Sequence, residues 1–374
     1  MRTPWIPALV LAAACSSDSS TPSALAPDLS VSAASAVGQV YTMDNQVGAN
    51  AVLVFDRGVD GALTPAGSIA TGGTGTGGGL GNQGAVILAG NGRYLLAVNA
   101  GSNDVTSFLV RPNGSLERVG RWPSGGMGPV SVTEHQGIVY VLNAGGTGNI
   151  TGFRFVAGRL SMLPGSSQSL SSPAAGAAQV QFARNGRVLL VTEKGTNAIS
   201  SYTVDNNGNA AGPTVIASNG QTPFGFGVRG SVMIVSEAFG GAPDASALSS
   251  YEIGTTGALR VLSPSVGTTE TAACWVVITN DGRFAYTSNT GSATISGYGI
   301  QGGHLSLLDS DGVTTTTDAG PIDLALTMNS RYLYSLNAAS NTIQGFAVGP
   351  NGELTLAPGA AAGLPVGTNG LAAR

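Results

Sequence analysis

Short apolar runs separated by glycine-rich and polar turns recur along most of the chain. Seven segments share one order: a Gly-Arg or similar start, an apolar strand, a polar end, a Gly/Ser/Asn turn and a second strand. They begin at Gly38, Gly92, Gly137, Gly186, Gly230, Gly282 and Ser330. Their starts lie about 44 to 54 residues apart, which is the length of a four-stranded repeat unit. The pattern therefore predicts a repeat architecture built from strands.

Each segment has two further predicted strands beside it. A hairpin and an outer strand follow, as in RPNGSLERV and GPNGELTLA, where Asn-Gly suits a tight turn with positive φ. An inner strand precedes every segment except the first, as in AQVQFAR and PIDLAL, and VGTNGLAAR after the last segment has the same pattern. We therefore predict an all-β fold: a seven-bladed β-propeller of four-stranded blades, closed by the C-terminal strand joining the N-terminal blade.

Composition agrees with a strand-rich fold and excludes one class of partner. The chain has 57 glycines among 374 residues, and only 10% of its residues are charged. We find no amphipathic run of helical period in its body. The formal net charge is −4 and there is no basic stripe, so nucleic-acid binding has no electrostatic support.

The N-terminus has the pattern of an export signal rather than of a fold. Arg2 precedes a short apolar stretch that ends in AAAC, which resembles a lipoprotein signal with Cys15 as the lipidated residue. We predict a signal peptide at 1–15, a Ser/Ala/Pro-rich tether at 16–36 and the propeller at 37–374. The chain would then be exported and face the periplasm or cell exterior, with a lipid anchor as its one membrane contact. The alternative is an ordinary signal peptide with an incidental cysteine.

The other cysteine, Cys274, lies in the apolar run ACWVVIT and is predicted to be a small buried side chain. If Cys15 carries lipid, no intramolecular disulfide is possible. Stability must then come from the core, and we expect a monomer.

One polar position recurs at the end of each second strand, and the topology places these ends on one face, the upper face. The seven residues are Asp44, Asn99, Asn143, Glu193, Glu237, Asn289 and Asn337. Asparagine suits a structural role, because its amide satisfies turn backbone groups. Glutamate is a poorer turn former, so Glu193 and Glu237 are candidate catalytic residues, and Asn143 and Asn289 are candidate ligand contacts.

The starts of the inner strands form a second predicted ring at the same face. Its residues are Ala85, Pro129, Gln179, Pro223, Trp275, Asp323 and Gly370. Trp275 is either a platform for a sugar ring or a core residue between blades. Asp323 is either a further carboxylate of the site or a partner for neighbouring backbone. Gln179 is a candidate substrate contact.

Other motifs add little chemistry. His135 and His304 fall at turns of the opposite, lower face, so a histidine triad or histidine-bound zinc has no basis. The segment TGGTGTGGGLGNQG, Thr71–Gly84, lacks Gly-Lys-Ser/Thr and is predicted to be a loop between blades. We predict neither a metal nor a cofactor.

The repeated strand ends VYVLNAG, LAVNAGSN and LYSLNAASN, with LLVTEKGTNAISSY and CWVVITNDGRFAYTSNTGSATISGY, resemble the lactonase family of seven-bladed propellers. This is the group of 6-phosphogluconolactonase and carboxymuconate-cyclising enzymes, and the likeness covers about residues 37 to 374. It implies the fold, and it implies lactone chemistry with acidic and basic groups on one face of the channel.

The same resemblance implies an Arg-His pair at the start of an inner strand, followed by a glutamate. Here Ala178 and Gln179 stand at the pair's positions, while Glu193 is retained. The remaining candidate cations are Lys194, which is the chain's single lysine, and Arg121. This is little positive charge for a sugar phosphate.

Two functions follow as hypotheses. In the first, the protein hydrolyses a neutral or weakly anionic, sugar-type lactone: Glu193 acts as general base, Asp323 or Glu237 orients the water, and Lys194 or Gln179 stabilises the oxyanion. In the second, a non-catalytic extracytoplasmic propeller binds a glycan or protein on this face. A structural surface protein without a small-molecule site is a third possibility.

Overall fold

The computed structural model describes residues 36–374, which form seven antiparallel sheets. The predicted signal peptide, Cys15 and all of the tether before Ala36 lie outside the described residues. No helix within the described part is long and apolar enough to cross a membrane. One 3-10 turn, Phe239–Gly241, is its single helical element.

The strands follow one another around the ring in chain order. The first sixteen are β1 (Gly38–Met43), β2 (Ala51–Arg57), β3 (Leu63–Ala70), β4 (Val86–Ala89), β5 (Tyr94–Asn99), β6 (Asp104–Val110), β7 (Leu116–Pro123), β8 (Met127–His135), β9 (Ile138–Gly145), β10 (Asn149–Val156), β11 (Arg159–Met162), β12 (Gln168–Ser169), β13 (Ala177–Ala183), β14 (Val188–Glu193), β15 (Ala198–Val204) and β16 (Ala210–Ala217).

The remaining fifteen are β17 (Pro223–Arg229), β18 (Val232–Glu237), β19 (Ala247–Ile253), β20 (Leu259–Gly267), β21 (Ala273–Ile278), β22 (Phe284–Asn289), β23 (Thr294–Gln301), β24 (His304–Leu307), β25 (Thr315–Thr316), β26 (Pro321–Leu326), β27 (Tyr332–Asn337), β28 (Thr342–Val348), β29 (Leu354–Leu356), β30 (Ala361–Ala362) and β31 (Asn369–Ala373).

Each sheet is one blade, numbered here in chain order. Blade 1 has the strand order β3-β2-β1-β31, and blades 2 to 7 begin with inner strands β4, β8, β13, β17, β21 and β26. In blades 3, 6 and 7 the outer edge consists of two short pieces that pair with the same third strand. The predicted all-β, seven-bladed propeller of four-stranded blades is confirmed.

The C-terminal strand completes the first blade, as the sequence predicts. Tyr41 pairs with Ala372 and Thr42 with Leu371 in an antiparallel ladder. The Thr42 hydroxyl also donates to the Gly370 carbonyl at 2.6 Å. This pairing joins both ends of the described chain in one sheet and gives blade 1 its inner strand.

Burial follows strand position within a blade. The second strands are buried along most of their length, and β14 (VLLVTE) and β22 (FAYTSN) are buried at every residue, because neighbouring blades pack on both faces. Outer strands such as β7 are largely exposed. Tyrosines of second strands connect adjacent blades: the Tyr41, Tyr140, Tyr286 and Tyr334 hydroxyls donate to carbonyls of Gly114, Gly208, Gly352 and Gly61 in the next blade's hairpin.

A bulge near the start of the inner strands changes one alignment made from the sequence. Pro129 pairs with Asn143 and Pro223 with Glu237, whereas Gln179 pairs with Thr192, one residue before Glu193. Pro129 and Pro223 therefore do not share the position of Gln179. The extra residue of the bulge is invisible to an alignment based on apolar runs.

The contribution of Tyr334, which joins blade 7 to blade 1, can be tested by Tyr334→Phe. The Tyr334 hydroxyl donates to the Gly61 carbonyl at 2.9 Å, and the ring is fully buried. We expect the free energy of unfolding to fall by about 1–3 kcal/mol, because the phenylalanine leaves a buried carbonyl unpaired. Denaturant unfolding measures this change.

Tyr332→Phe is the matched control for that experiment. Tyr332 lies in the same strand and donates to the Val59 carbonyl of the same hairpin, but its hydrogen bond is exposed to solvent. We expect a change within about 0.5 kcal/mol. Equal effects of the two substitutions would contradict a closure role for Tyr334.

Candidate functional site

A channel along the axis of the ring contains a cavity of about 360 Å³. Inner strands of all seven blades contribute to its wall, and most lining side chains are aliphatic. The polar side chains that line it are Gln83, Thr133, Glu134, Gln179, Gln181 and Asp323. Of the residues predicted from the sequence, the channel therefore brings together Gln179 and Asp323.

The glycine-rich segment Thr71–Gly84, here called the plug loop, covers the upper mouth of this channel. It connects the outer strand of blade 1 to the inner strand of blade 2 and contacts several other blades across the axis. The Gln83 backbone donates to the Ala178 carbonyl of blade 4 at 3.1 Å, and the Gly84 carbonyl accepts from Val132 of blade 3 at 2.9 Å. The Asn82 side chain donates to the Val130 carbonyl, also of blade 3.

The Gln83 side chain fixes the plug loop to the far side of the ring. Its Nε2 donates to the Val276 carbonyl at 2.9 Å, and its Oε1 accepts from the Val276 backbone at 3.2 Å. Gly225 makes room for this amide, because a Cβ at that position would overlap Gln83 Oε1. Sequence reasoning missed Gln83; the signal for it was the length of the connection at 71–85 compared with 218–222 or 268–272.

Two residues predicted to bind substrate hold the plug loop instead. The Trp275 indole is almost fully buried, and its Nε1 donates to the Asn82 carbonyl. Lys194 Nζ donates to the Gly81 carbonyl and lies 4.3 Å from the centroid of the Phe224 ring. Burial lowers the pKa of Lys194. Of the two alternatives for Trp275, its burial fits a core residue between blades, because no ring face is free at the surface for a sugar.

Side chains of the inner strands also satisfy the backbone of their neighbours. Gln179 Oε1 accepts from the Phe226 backbone at 2.6 Å, and its Nε2 donates to the Phe226 carbonyl at 2.8 Å. Ser131 Oγ accepts from Val180 in the same manner, at 3.2 Å. Gln179 therefore lines the channel, but its donors are already used, which removes it as an oxyanion donor.

Asp323 is the buried carboxyl group of the channel. It lies in β26 with 3% of its surface exposed, and its Oδ1 accepts from the Leu324 backbone at 2.8 Å. Burial raises its pKa well above the ordinary aspartate value, against the opposing effect of hydrogen bonds from the Leu324 and Leu371 backbones. No lysine or arginine is among the residues that line the cavity.

Glu193 lies outside the channel in a closed network of hydrogen bonds. Its carboxylate accepts from the backbone and hydroxyl of Ser171, from the Thr196 hydroxyl at 3.0 Å and from the Ser200 hydroxyl at 2.7 Å. Its side chain has no exposed surface. A general base needs access to water and substrate, so this geometry does not support the predicted role.

Glu237 is held in the same way in the next blade. Its carboxylate accepts from the Gly220 backbone at 2.8 Å and from the Ser265 hydroxyl at 2.6 Å, and the side chain is fully buried. The structure therefore does not bring Glu193, Glu237 and Asp323 into one site. Both glutamates occupy the place of the asparagines in other blades and join the blade to the loop that enters it.

The remaining predicted contacts are structural as well. Asn289 donates to the hydroxyls of Thr294 and Ser296, and Asn143 donates to the Ser124 carbonyl; both side chains are fully buried. Arg121 forms an ion pair with Asp104 at 2.7 Å on blade 2, away from the cavity lining.

Comparison with known proteins supports the class of protein that this fold defines. The family model described as "Lactonase, 7-bladed beta-propeller" matches residues 246–366. A search of proteins of curated function finds no match. The resemblance to the lactonase family found in the repeats is thus confirmed for residues 246–366, and the described chain is a seven-bladed propeller.

Solved structures agree on the fold over most of the chain. The periplasmic gluconolactonase PpgL of Pseudomonas aeruginosa is similar with a TM-score of 0.68 and 17% identity, covering 89% of this chain and 98% of the other. A candidate 6-phosphogluconolactonase from Bacteroides fragilis has a TM-score of 0.68 and 17% identity, covering 90% and 98%. A protein from Lactobacillus plantarum has a TM-score of 0.70 and 16% identity, covering 90% and 99%. At sequence identities this low, the structural similarity shows a shared fold and nothing further.

The structural role of Glu193 can be tested by Glu193→Ala. We expect the free energy of unfolding to fall by about 2–4 kcal/mol, because four donors lose their acceptor in a buried place. Thermal and denaturant unfolding measure the change. Glu252→Ala is the control, since Glu252 is half-exposed and paired with Arg260 on the surface; its expected change is at most about 1 kcal/mol. Similar losses in both variants would contradict this role.

The buried carboxyl of Asp323 predicts a pH dependence of stability. Because its folded pKa is raised, the native state holds its proton more tightly than the unfolded chain. Its favourable effect is complete below the unfolded value, about 3.9, and is lost as pH rises through the raised pKa. Asp323→Asn should remove this fall and stabilise the protein at neutral pH. Denaturant unfolding at a series of pH values measures it.

Asp281→Asn provides a control of opposite sign. A hydrogen bond from the Thr279 hydroxyl is the main cause that lowers the pKa of Asp281, which lies near the surface. Its stabilising effect is present above the unfolded pKa and is lost as pH falls. An unchanged pH profile for Asp323→Asn would show that the carboxyl keeps an ordinary pKa.

Proposed function

We propose that this protein hydrolyses a small lactone inside the channel, with Asp323 as the general base. The observation that carries the proposal is the position of Asp323: a buried carboxyl group, without a cation in the channel wall, that lines the axial cavity of a lactonase-family propeller. The proposal keeps the reaction class predicted from the sequence and moves the base from Glu193 to Asp323.

Hydrolysis requires a base that activates water and two hydrogen-bond donors to the carbonyl oxygen of the lactone. The Asp323 carboxylate takes a proton from water as the water oxygen attacks the lactone carbonyl carbon. The bond to the ring oxygen then breaks, and that oxygen receives the proton, which gives a hydroxy acid. A carboxyl whose pKa is raised above its ordinary value is suited to both proton transfers.

Negative charge on the carbonyl oxygen needs donors in the same cavity. Two polar neighbours in the wall retain donor capacity. Gln181 accepts from Gln179 through its Oε1, and its Nε2 has no hydrogen-bond partner among residues 36–374. The Thr133 oxygen accepts from the Phe182 backbone at 3.2 Å, which leaves its hydroxyl hydrogen for a ligand. We assign the oxyanion to these two side chains.

The charge of the wall favours an uncharged substrate. A phosphorylated sugar would require arginine or lysine beside its phosphate, and the cavity wall has neither. The related structures described as gluconolactonase and 6-phosphogluconolactonase therefore suggest the reaction class, while the substrate itself would differ.

We also propose export of this enzyme, on the basis of the signal-like N-terminus with Cys15 and of the periplasmic location of the Pseudomonas aeruginosa relative in fold. The alternative function, glycan or protein binding on the upper face, has less support. The burial of Trp275 removes the aromatic surface on which a sugar ring would stack.

Turnover of uncharged lactones tests the proposal. We expect hydrolysis of δ-lactones by the wild type above the spontaneous rate, and a loss of at least about 100-fold in kcat for Asp323→Asn. The rate of the wild type should rise with pH through the raised pKa of Asp323, because the base acts in its deprotonated form. A pH-stat or a chromogenic acid indicator measures the release of acid.

Glu134→Gln is the matched control, because Glu134 also lines the channel but its two oxygens accept from the Gly90 and Gly137 backbones. It should retain turnover. Absence of hydrolysis across the lactones, or equal rates for the wild type and Asp323→Asn, would refute the proposed function.

A further inference from the structure

The axial channel is closed at one end and open at the other. Near the plug loop the lining residues Val86, Val180, Phe226 and Val276 are each at most 2% exposed. At the opposite end the lining side chains are partly exposed; these include Leu88, Glu134, Gln181, Val228, Ile278 and Leu326. Entry therefore lies on the lower face, where the turns after the inner strands are found.

Aliphatic side chains form most of the wall at the open end. Leu88, Val228, Ile278 and Leu326 come from blades 2, 5, 6 and 7, and blades 3 and 4 add the polar side chains of Glu134 and Gln181. A cavity of about 360 Å³ is within the range of small-molecule sites. Burial of a ligand's methylene groups against aliphatic side chains of this kind is favourable, whereas its hydroxyl groups find no hydrogen-bond partner in those side chains.

A polyhydroxylated molecule would find few partners along this wall. The amides of Gln83 and Gln179 are both fully engaged by the backbones of Val276 and Phe226. Each sugar hydroxyl buried beside them would lose its hydrogen bonds with water without replacement.

We infer that the channel binds an aliphatic lactone that enters from the lower face, with its ring at Asp323 and its alkyl chain among Leu88, Val228, Ile278 and Leu326. The substrate class rests on the proposed lactone hydrolysis, whereas the entry side and the preference for an alkyl chain rest on the channel alone. The ring would lie between Asp323 and the donors Thr133 and Gln181, and the chain would extend from there among the aliphatic side chains of the open end.

Stable analogues separate binding from turnover. Alkyl-substituted δ-lactams, with chains from methyl to hexyl, have an amide in place of the ester and resist hydrolysis. We expect the dissociation constant from titration calorimetry to fall about fourfold per methylene until the cavity is filled. A polyhydroxylated δ-lactam of the same ring should bind at least tenfold more weakly than the methyl compound. Affinity independent of chain length would overturn the inference.

The entry side is tested with substitutions at the two ends of the channel. Leu326→Trp narrows the lower mouth and should weaken binding of the hexyl lactam by at least tenfold. Val59→Trp is the control, because Val59 is an exposed residue of an outer hairpin on the same face. Lys194→Met loosens the plug loop and should leave the affinity within about twofold, since the ligand does not pass there.

Leu326→Ala provides a second test at the same position in case Leu326→Trp does not fold. It widens the mouth and should reduce the gain per methylene for the longer chains. Lactams that bind with chain-length dependence, together with no lactone turnover, would refute the proposed function and leave the inference standing. Turnover of lactones with no effect of chain length or of Leu326→Trp would refute the inference alone.

Discussion

Each inner strand of the ring has one edge that faces the axis and finds no further strand to pair with. Its backbone groups are buried, so each N–H and carbonyl requires another partner. A side chain of the neighbouring blade accepts from the N–H of such an edge: Gln179 from Phe226 and Ser131 from Val180. Asp323 accepts from Leu371 of the next blade and also from its own next residue, Leu324. In blade 5 the equivalent residue is Gly225, which has no side chain to accept a hydrogen bond. Gln83 of the plug loop occupies that space, and its Oε1 accepts from the Val276 backbone. The closed upper mouth thus follows from the need to satisfy these edges.

The same constraint explains why several polar residues that suggest catalysis are structural. A second strand ends where a loop from the preceding blade enters, and the backbone and hydroxyl donors there need a buried acceptor. Glu193 and Glu237 meet that need in blades 4 and 5. Asn289 at the same position of blade 6 instead donates to the hydroxyls of Thr294 and Ser296. A glutamate at this position carries more acceptor capacity, which suits four donors around Glu193.

Chemistry is therefore confined to the part of the channel that the blades leave unfilled. Asp323 combines a structural contact to backbone with a place on the cavity wall, and burial in an aliphatic environment favours its neutral form. The wall of the cavity contains no arginine or lysine, and most of its side chains are aliphatic. A fold can thus be shared with solved propellers while the chemistry of the channel wall differs.

The sequence by itself determined the blade count, the strand order and the closure of the ring, because these depend on local alternation, turn residues and a repeat length that survive in a single chain. It also placed Gln179 and Asp323 at the channel. It did not determine the roles of Glu193, Glu237, Trp275 and Lys194, because a side chain at a strand end can face the axis or the adjacent blade. That choice depends on the bulge in the inner strand and on the loop that enters from elsewhere. Only the tertiary structure decided it, since the partners of these residues, Ser171, Gly220, Asn82 and Gly81, are brought to them by the packing of the blades and the path of the plug loop.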